Sequence, residues 1–289
     1  MRGLIKTRAP GVPHLLALCL GCVIGGTAWQ AESQIITLAD NNSVAEVNVA
    51  NQQGMFYWAV QGQNQLHQQW FWYSVGANAP ASIDTISPAV TTTFDGTRGL
   101  SSTYANPTYS VNISYLLTGG APVPVGSYGV SDIGETIRIQ NLTASPLPFT
   151  FYQYSDFDLG GPGNDTVQLG KNLAGQYNDA VQLDPNAGLT ETVTTPGASH
   201  GEVALVPVTL NKLNGGAPVT LSDAAGPVGP GNVSWALEWD FLIAPGSTAL
   251  ISKDKYLSVL IQPIPEPAVG ALLVLGLAGL AWRRRHSPK

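Results

Sequence analysis

From Val233 to Phe241 the chain alternates strictly. Val233, Trp235, Leu237, Trp239 and Phe241 fall on one side, and Ser234, Glu238 and Asp240 fall on the other. A period of two is the signature of a strand with one buried and one polar face. Tyr109–Tyr115 repeats the pattern, as do Thr136–Gln140 and Phe149–Tyr154. Residues 141–148 between the last two predict a hairpin connection longer than the tight types. Further short runs at Ile35–Leu38, Val44–Val49, Met55–Val60, Gln69–Val75, Leu189–Thr194, Val203–Leu210 and Tyr256–Gln262 predict more strands. No long helical periodicity interrupts them.

Strands with one apolar face need a second layer to cover it. The chain therefore predicts an all-β fold, an antiparallel β-sandwich, of which a jelly roll is one version. The Gly/Pro-rich stretches 160–163 and 226–231 separate no regions of different composition and read as loops within one sandwich.

The two ends follow other rules. Arg2, Lys6 and Arg8 precede an apolar run from Leu15 to Ile24, followed by Gly25, Gly26, Thr27 and Ala28. That order predicts a signal peptide over residues 1–28, cut after Ala28. Both cysteines, Cys19 and Cys22, lie inside it, so the mature chain is expected to have no disulfide. Cys22 is a weak lipidation site, because Cys19 stands where such a motif wants leucine. At the other end, residues 263–289 contain Pro265-Glu266-Pro267, an uncharged run from Ala268 to Trp282, and Arg283-Arg284-Arg285. As a helix the run reaches roughly 22 Å, a short transmembrane segment extended by Trp282 and snorkelling arginines. The arginines should stay cytoplasmic, leaving residues 29–262 outside the inner membrane.

This arrangement resembles the PEP-CTERM sorting domain of Gram-negative bacteria. The resemblance implies processing near Pro265-Glu266-Pro267 by an exosortase, a membrane protease, after inner-membrane anchoring. It further implies a destination at the cell surface or outside it, in a setting of exopolysaccharide and biofilm. The core also resembles a group of uncharacterised exported PEP-CTERM proteins, through residues 68–73, 154–159 and 252–255.

Charge narrows the partners. Between Trp29 and Pro263 stand six bases against 18 acids, a net charge of −12 where the whole chain has −6. Such a surface repels phosphate backbones and argues against nucleic acid. Catalytic raw material is thin: His67 and His200 are the core's histidines, and no Gly-x-Ser-x-Gly or phosphate-binding loop occurs. No enzyme activity and no organic cofactor are expected.

Three constellations remain. Asp156, Asp158 and Asp165 flank a glycine-rich turn that would offer calcium several hard oxygens, although the spacing is not an EF-hand and suits a polar turn as well. Trp70, Trp72 and Tyr73 would stack on sugar rings if exposed, in a carbohydrate-binding module, and would build the core if buried. Glu238 and Asp240 share a strand face, an arrangement open to glycoside hydrolysis or to plain solvent-facing charge. The sequence supports a structural or adhesive surface protein first, a carbohydrate-binding module second, and an extracellular hydrolase third.

Overall fold

The computed structural model describes residues 34–263. The expected signal peptide and the expected transmembrane run lie outside the described residues. Among those described, no helix is long and apolar enough to cross a membrane.

In chain order the strands are β1 (Ile35–Asp40), β2 (Ser43–Asn48), β3 (Gly54–Val60), β4 (Gln63–Asn64), β5 (Leu66–Val75) and β6 (Ala81–Ser82). Next come β7 (Val90–Phe94), β8 (Gly99–Ala105), β9 (Tyr109–Gly119), β10 (Tyr128–Asn141), β11 (Leu147–Phe157) and β12 (Asp165–Lys171). The last are β13 (Tyr177–Asp184), β14 (Ala187–Thr195), β15 (His200–Leu205), β16 (Val228–Gly231), β17 (Val233–Ile243) and β18 (Thr248–Leu260), with a 3-10 turn at Ile83–Thr85 and an α-helix, α1 (Val208–Leu213). The first sheet runs β1-β2-β3-β5-β11-β17-β15, and the second runs β16-β12-β13-β14-β18-β10-β9-β8-β7. Pairing is antiparallel except for a short parallel contact of β3 with β5. The fold is the β-sandwich that the alternation predicts.

Three local expectations are corrected. Residues 141–148 form no hairpin, because β10 pairs with β9 and β18 in the second sheet while β11 pairs with β5 and β17 in the first. The connection crosses between layers and is held by Asn141, whose side-chain amide donates to the carbonyls of Ser145 (2.8 Å) and Ile243 (2.9 Å). Strand β15 stops at Leu205, since Pro207 removes a ladder donor and α1 follows. Gly226–Gly231 contains a short edge strand, β16, paired with β12.

Residues directly opposite in register share a face. The inner face of the first sheet carries Phe71, Phe149, Phe151, Trp235, Leu237 and Trp239, all buried. Tyr115, Ile133, Ile137 and Leu257 meet them from the second sheet. Phe71 stacks on Phe151 with centroids 5.3 Å apart. Such aromatic contacts add to the burial that supplies most of the folding free energy.

The same interior holds four charges. Glu135 on β10, Glu191 on β14, and Lys253 and Lys255 on β18 have side chains at most 1% exposed. Both lysines contact Glu135. Lys255 also lies 3.0 Å and Lys253 3.7 Å from Glu191. From the facing sheet, Gln69 donates to Glu135 (3.4 Å) and Gln153 to Glu191 (2.9 Å). Burial alone would push the Glu135 carboxyl up, but the two ammonium groups outweigh it and hold it below its ordinary range.

Removing one partner from a buried ion pair strands the other and costs about 3–5 kcal/mol. Lys253→Met should destabilise the fold by about that amount in urea unfolding. Replacing all four (Glu135→Leu, Glu191→Leu, Lys253→Met, Lys255→Met) should recover most of the loss. A Lys253→Met variant within about 1 kcal/mol of the parent would show that the quartet is not coupled in this way.

Candidate functional site

The outer face of the first sheet is the one on which chemistry collects. Trp72 from β5, Tyr152 from β11, His200 and Glu202 from β15, and Glu238 from β17 all lie there by register. The face is not open to solvent. Residues 206–227, including α1, lie over it and bury Thr209, Leu213 and Leu221. The face supplies their hydrogen-bond partners. Glu202 accepts from Thr209 Oγ1 (2.8 Å), Lys212 Nζ (2.5 Å) and Ser222 N–H (3.0 Å). Glu238 accepts from Leu221 N–H (2.7 Å), Tyr152 donates to the Val219 carbonyl (2.8 Å), and Trp72 donates to Asn214 (3.1 Å).

Glu238 is therefore not the solvent-facing charge that its polar neighbours suggest; it is 2% exposed. Burial, with Asp240 and Asp223 adding repulsion, lifts its carboxyl to about 7. Glu202 goes the other way. Burial opposes its charge, but Lys212, Ser222 and Thr209 hold it down to about 2.

Beside the covered patch, His200 stands directly opposite Glu238 in register. Its Nδ1 lies 3.0 Å from Asp223 Oδ2, and its Nε2 lies 3.8 Å from Asp240 Oδ2. Partial burial pulls the imidazole down, but Asp223, Glu238 and Asp240 together raise it above its usual value. Among the described residues, His200, Glu238 and Asp240 form a group whose potential metal-ligand atoms all lie within 4.8 Å of one another.

The residues singled out from sequence fare differently. Asp156, Asp158 and Asp165 do not meet that same 4.8 Å spacing. The register irregularity beside Asp156 and Phe157 lies on β5, where His67 is the extra residue. Asp158 follows the end of β11 with its Oδ2 4.0 Å from His67 Nδ1, close enough that its charge adds to the raising of Asp156. Asp165 turns to accept from Leu159 N–H (3.2 Å) and Gln182 Nε2 (3.0 Å). Asp156 and Asp165 are buried, which lifts their carboxyls to about 6 and about 7. Asp156 and Asp158 also lie away from Glu238 and Asp240, since Tyr152 and Tyr154 intervene along β11.

Trp70 and Trp72 are 1% and 0% exposed and cannot present a stacking face to sugar. Trp70 is closed in by Ser82, which accepts from its indole at 2.8 Å, and by Tyr104. Tyr73 is half-buried, stacked on Phe149 at 5.8 Å. It lines a surface depression of about 320 Å³ with Tyr109, Ser74 and Asn78. Asp223 was not singled out beforehand. It lies 23 residues from His200, in no local motif, and only the covering segment brings the two together.

The motifs at the chain's end speak to destination. The family model of the PEP-CTERM protein-sorting motif matches residues 263–285. The chain carries a PEP-CTERM sorting tail. That tail marks export, membrane anchoring before processing, and exosortase as the processing partner. No curated protein matches this PEP-CTERM chain by sequence. Its fold does have solved counterparts. A candidate aldose 1-epimerase from Escherichia coli K12 aligns at TM-score 0.53 and 9% identity, over 78% of this chain and 99% of that one. The Slr1438 protein from Synechocystis sp. PCC 6803 aligns at TM-score 0.52 and 12% identity, over 78% and 96%. At such identities the likeness is one of fold.

The titrating groups set a pH dependence. Glu238, Asp156 and Asp165 have folded pKa values above their unfolded ones, so the folded state binds protons more readily. Their contribution is fully present below about pH 4 and is lost as pH rises to about 7. His200, also raised, acts in the same direction at its own higher range. Glu202 and Glu135, being lowered, add stability above their unfolded values that is lost as pH falls. In metal-free buffer the melting temperature should peak near about pH 5 and decline toward pH 8. Glu238→Gln should flatten the neutral limb; a melting temperature that climbs steadily from pH 5 to 8 would contradict this assignment.

Proposed function

We propose that this PEP-CTERM protein is a non-catalytic component of the cell surface or extracellular matrix, structural or adhesive among extracellular polysaccharide. The observation that carries the reading is the closure of the acidic face. Leu221 and Ser222 donate their backbone N–H groups to Glu238 and Glu202, the hydrogen bonds a ligand would otherwise make. A substrate approaching these carboxylates would have to displace residues 206–227, with buried Leu213 and Leu221 among them. The sandwich spends its charges on its own cohesion, as a protein without cysteine in its described residues must.

The fold likeness supplies a direct test. One counterpart is named as a candidate aldose 1-epimerase, so the purified protein should be assayed for interconversion of aldose anomers by polarimetry. The expected rate is that of buffer alone. An acceleration that disappears in Glu238→Gln would replace this reading with an enzymatic one.

A second reading, carbohydrate binding, is favoured by the depression at Tyr73. The half-buried Tyr73 offers part of its ring beside Asn78 in the depression, and an aromatic ring with an amide partner suits a sugar's apolar face and hydroxyls. In affinity electrophoresis through the producing organism's exopolysaccharide, the parent should be retarded and Tyr73→Ala should run about as fast as without polysaccharide. Equal retardation of both would remove the depression as the binding place.

A further inference from the structure

The arrangement around His200 is more than a group of neighbouring charges. Strand pairing sets His200 opposite Glu238, and Asp240 follows two residues along the same face of β17. The three side chains therefore project together from two bonded strands, a rigid platform. The His200 Nε2 to Asp240 Oδ2 distance of 3.8 Å is too long for a hydrogen bond. It suits two ligands that share one ion at bond lengths of about 2.0–2.2 Å.

Each of the three is also held from behind. Asp223 Oδ2 lies 3.0 Å from His200 Nδ1, which places the proton there and leaves the Nε2 lone pair facing the carboxylates. Thr150 Oγ1 donates to Asp240 Oδ1 at 2.8 Å, leaving Oδ2 toward the imidazole. Leu221 N–H occupies Glu238 Oε2 at 2.7 Å. The ligand atoms of Glu238, His200 and Asp240 lie within 4.8 Å of one another. Three carboxylates, those of Glu238, Asp240 and Asp223, gather around one imidazole, an excess of negative charge at one place.

We propose that His200, Glu238 and Asp240 bind a divalent transition ion of the zinc type, with Asp223 as the positioning residue. One imidazole and two carboxylates are a ligand set for zinc, not for magnesium or calcium, which take oxygen. The Asp240 side chain is exposed, which leaves the fourth position to water. The ion would join β15 to β17 and, through Asp223, tie down the covering segment.

The test uses the tag-free full-length chain in detergent, stripped with chelator. Zinc titration should give one ion per chain by calorimetry and a raised melting temperature, and cobalt should give the visible bands of a tetrahedral site. His200→Ala and the exposed Asp240→Asn should abolish both signals with the fold retained by circular dichroism. Asp223→Asn should keep one ion per chain but weaken affinity about 10–100-fold. Magnesium should cause no shift, and His67→Ala should bind as the parent does. Absence of a zinc-dependent shift and of cobalt bands at millimolar metal would overturn the proposal. So would binding that survives His200→Ala unchanged.

Discussion

Two carboxylates and two ammonium groups shut between sheets cannot stand as separate charges, because each would cost several kcal/mol in a dry interior. Glu135, Glu191, Lys253 and Lys255 are tolerable only as neighbours, and that requirement reaches far into the fold. Strands β10, β14 and β18 must pair so that Glu135 faces Lys253 and Glu191 faces Lys255. A slip of one residue would turn the lysines to solvent and leave a carboxylate alone inside. Gln69 and Gln153 carry the constraint across to the other sheet, so the charges also set how the layers face each other. Apolar packing would supply comparable or greater stability; what the quartet adds is a single allowed register.

The outer face of the first sheet obeys the same rule by a different device. Its carboxylates are covered by residues 206–227, whose unpaired backbone groups need acceptors. Glu202 and Glu238 meet that need, and the segment in turn excludes water from them. Glu238 consequently holds its proton near neutrality while Glu202, with Lys212 at hand, stays ionised. Two like residues on one face thus differ by their partners. At the margin of this cover, where His200 and Asp240 reach solvent, the ligand atoms of His200, Glu238 and Asp240 lie within 4.8 Å of one another. Destination and chemistry are separate properties of the chain. The sorting tail directs the protein to the surface, whereas a two-sheet β-sandwich with a covered face is what arrives there.

Much of this was legible in the order of residues. Alternation at Tyr109–Tyr115 and Val233–Phe241 identified strands and their apolar sides, because a strand's two faces are a local property of the backbone. Pro265-Glu266-Pro267, the uncharged run and the arginines identified the sorting tail for a similar reason: the signal is contiguous. Strands such as β12 and β13, short and mixed with Asn, Asp and Gly, left weaker traces and were not anticipated.

Alternation says that a strand has two faces but not what will cover each. Glu238 looked exposed because its neighbours Ser234 and Asp240 are polar; a segment preceding β17 in the chain decided otherwise. The fates of Trp70 and Trp72 and the crossing of residues 141–148 between layers were settled by strand pairing over long separations. So was the meeting of His200 with Glu238, Asp240 and Asp223. Local sequence determined the elements and their address, while the pairing of distant strands determined which groups lost water and which found partners. Burial and hydrogen bonding depend on those neighbours, and no window along the chain contains them.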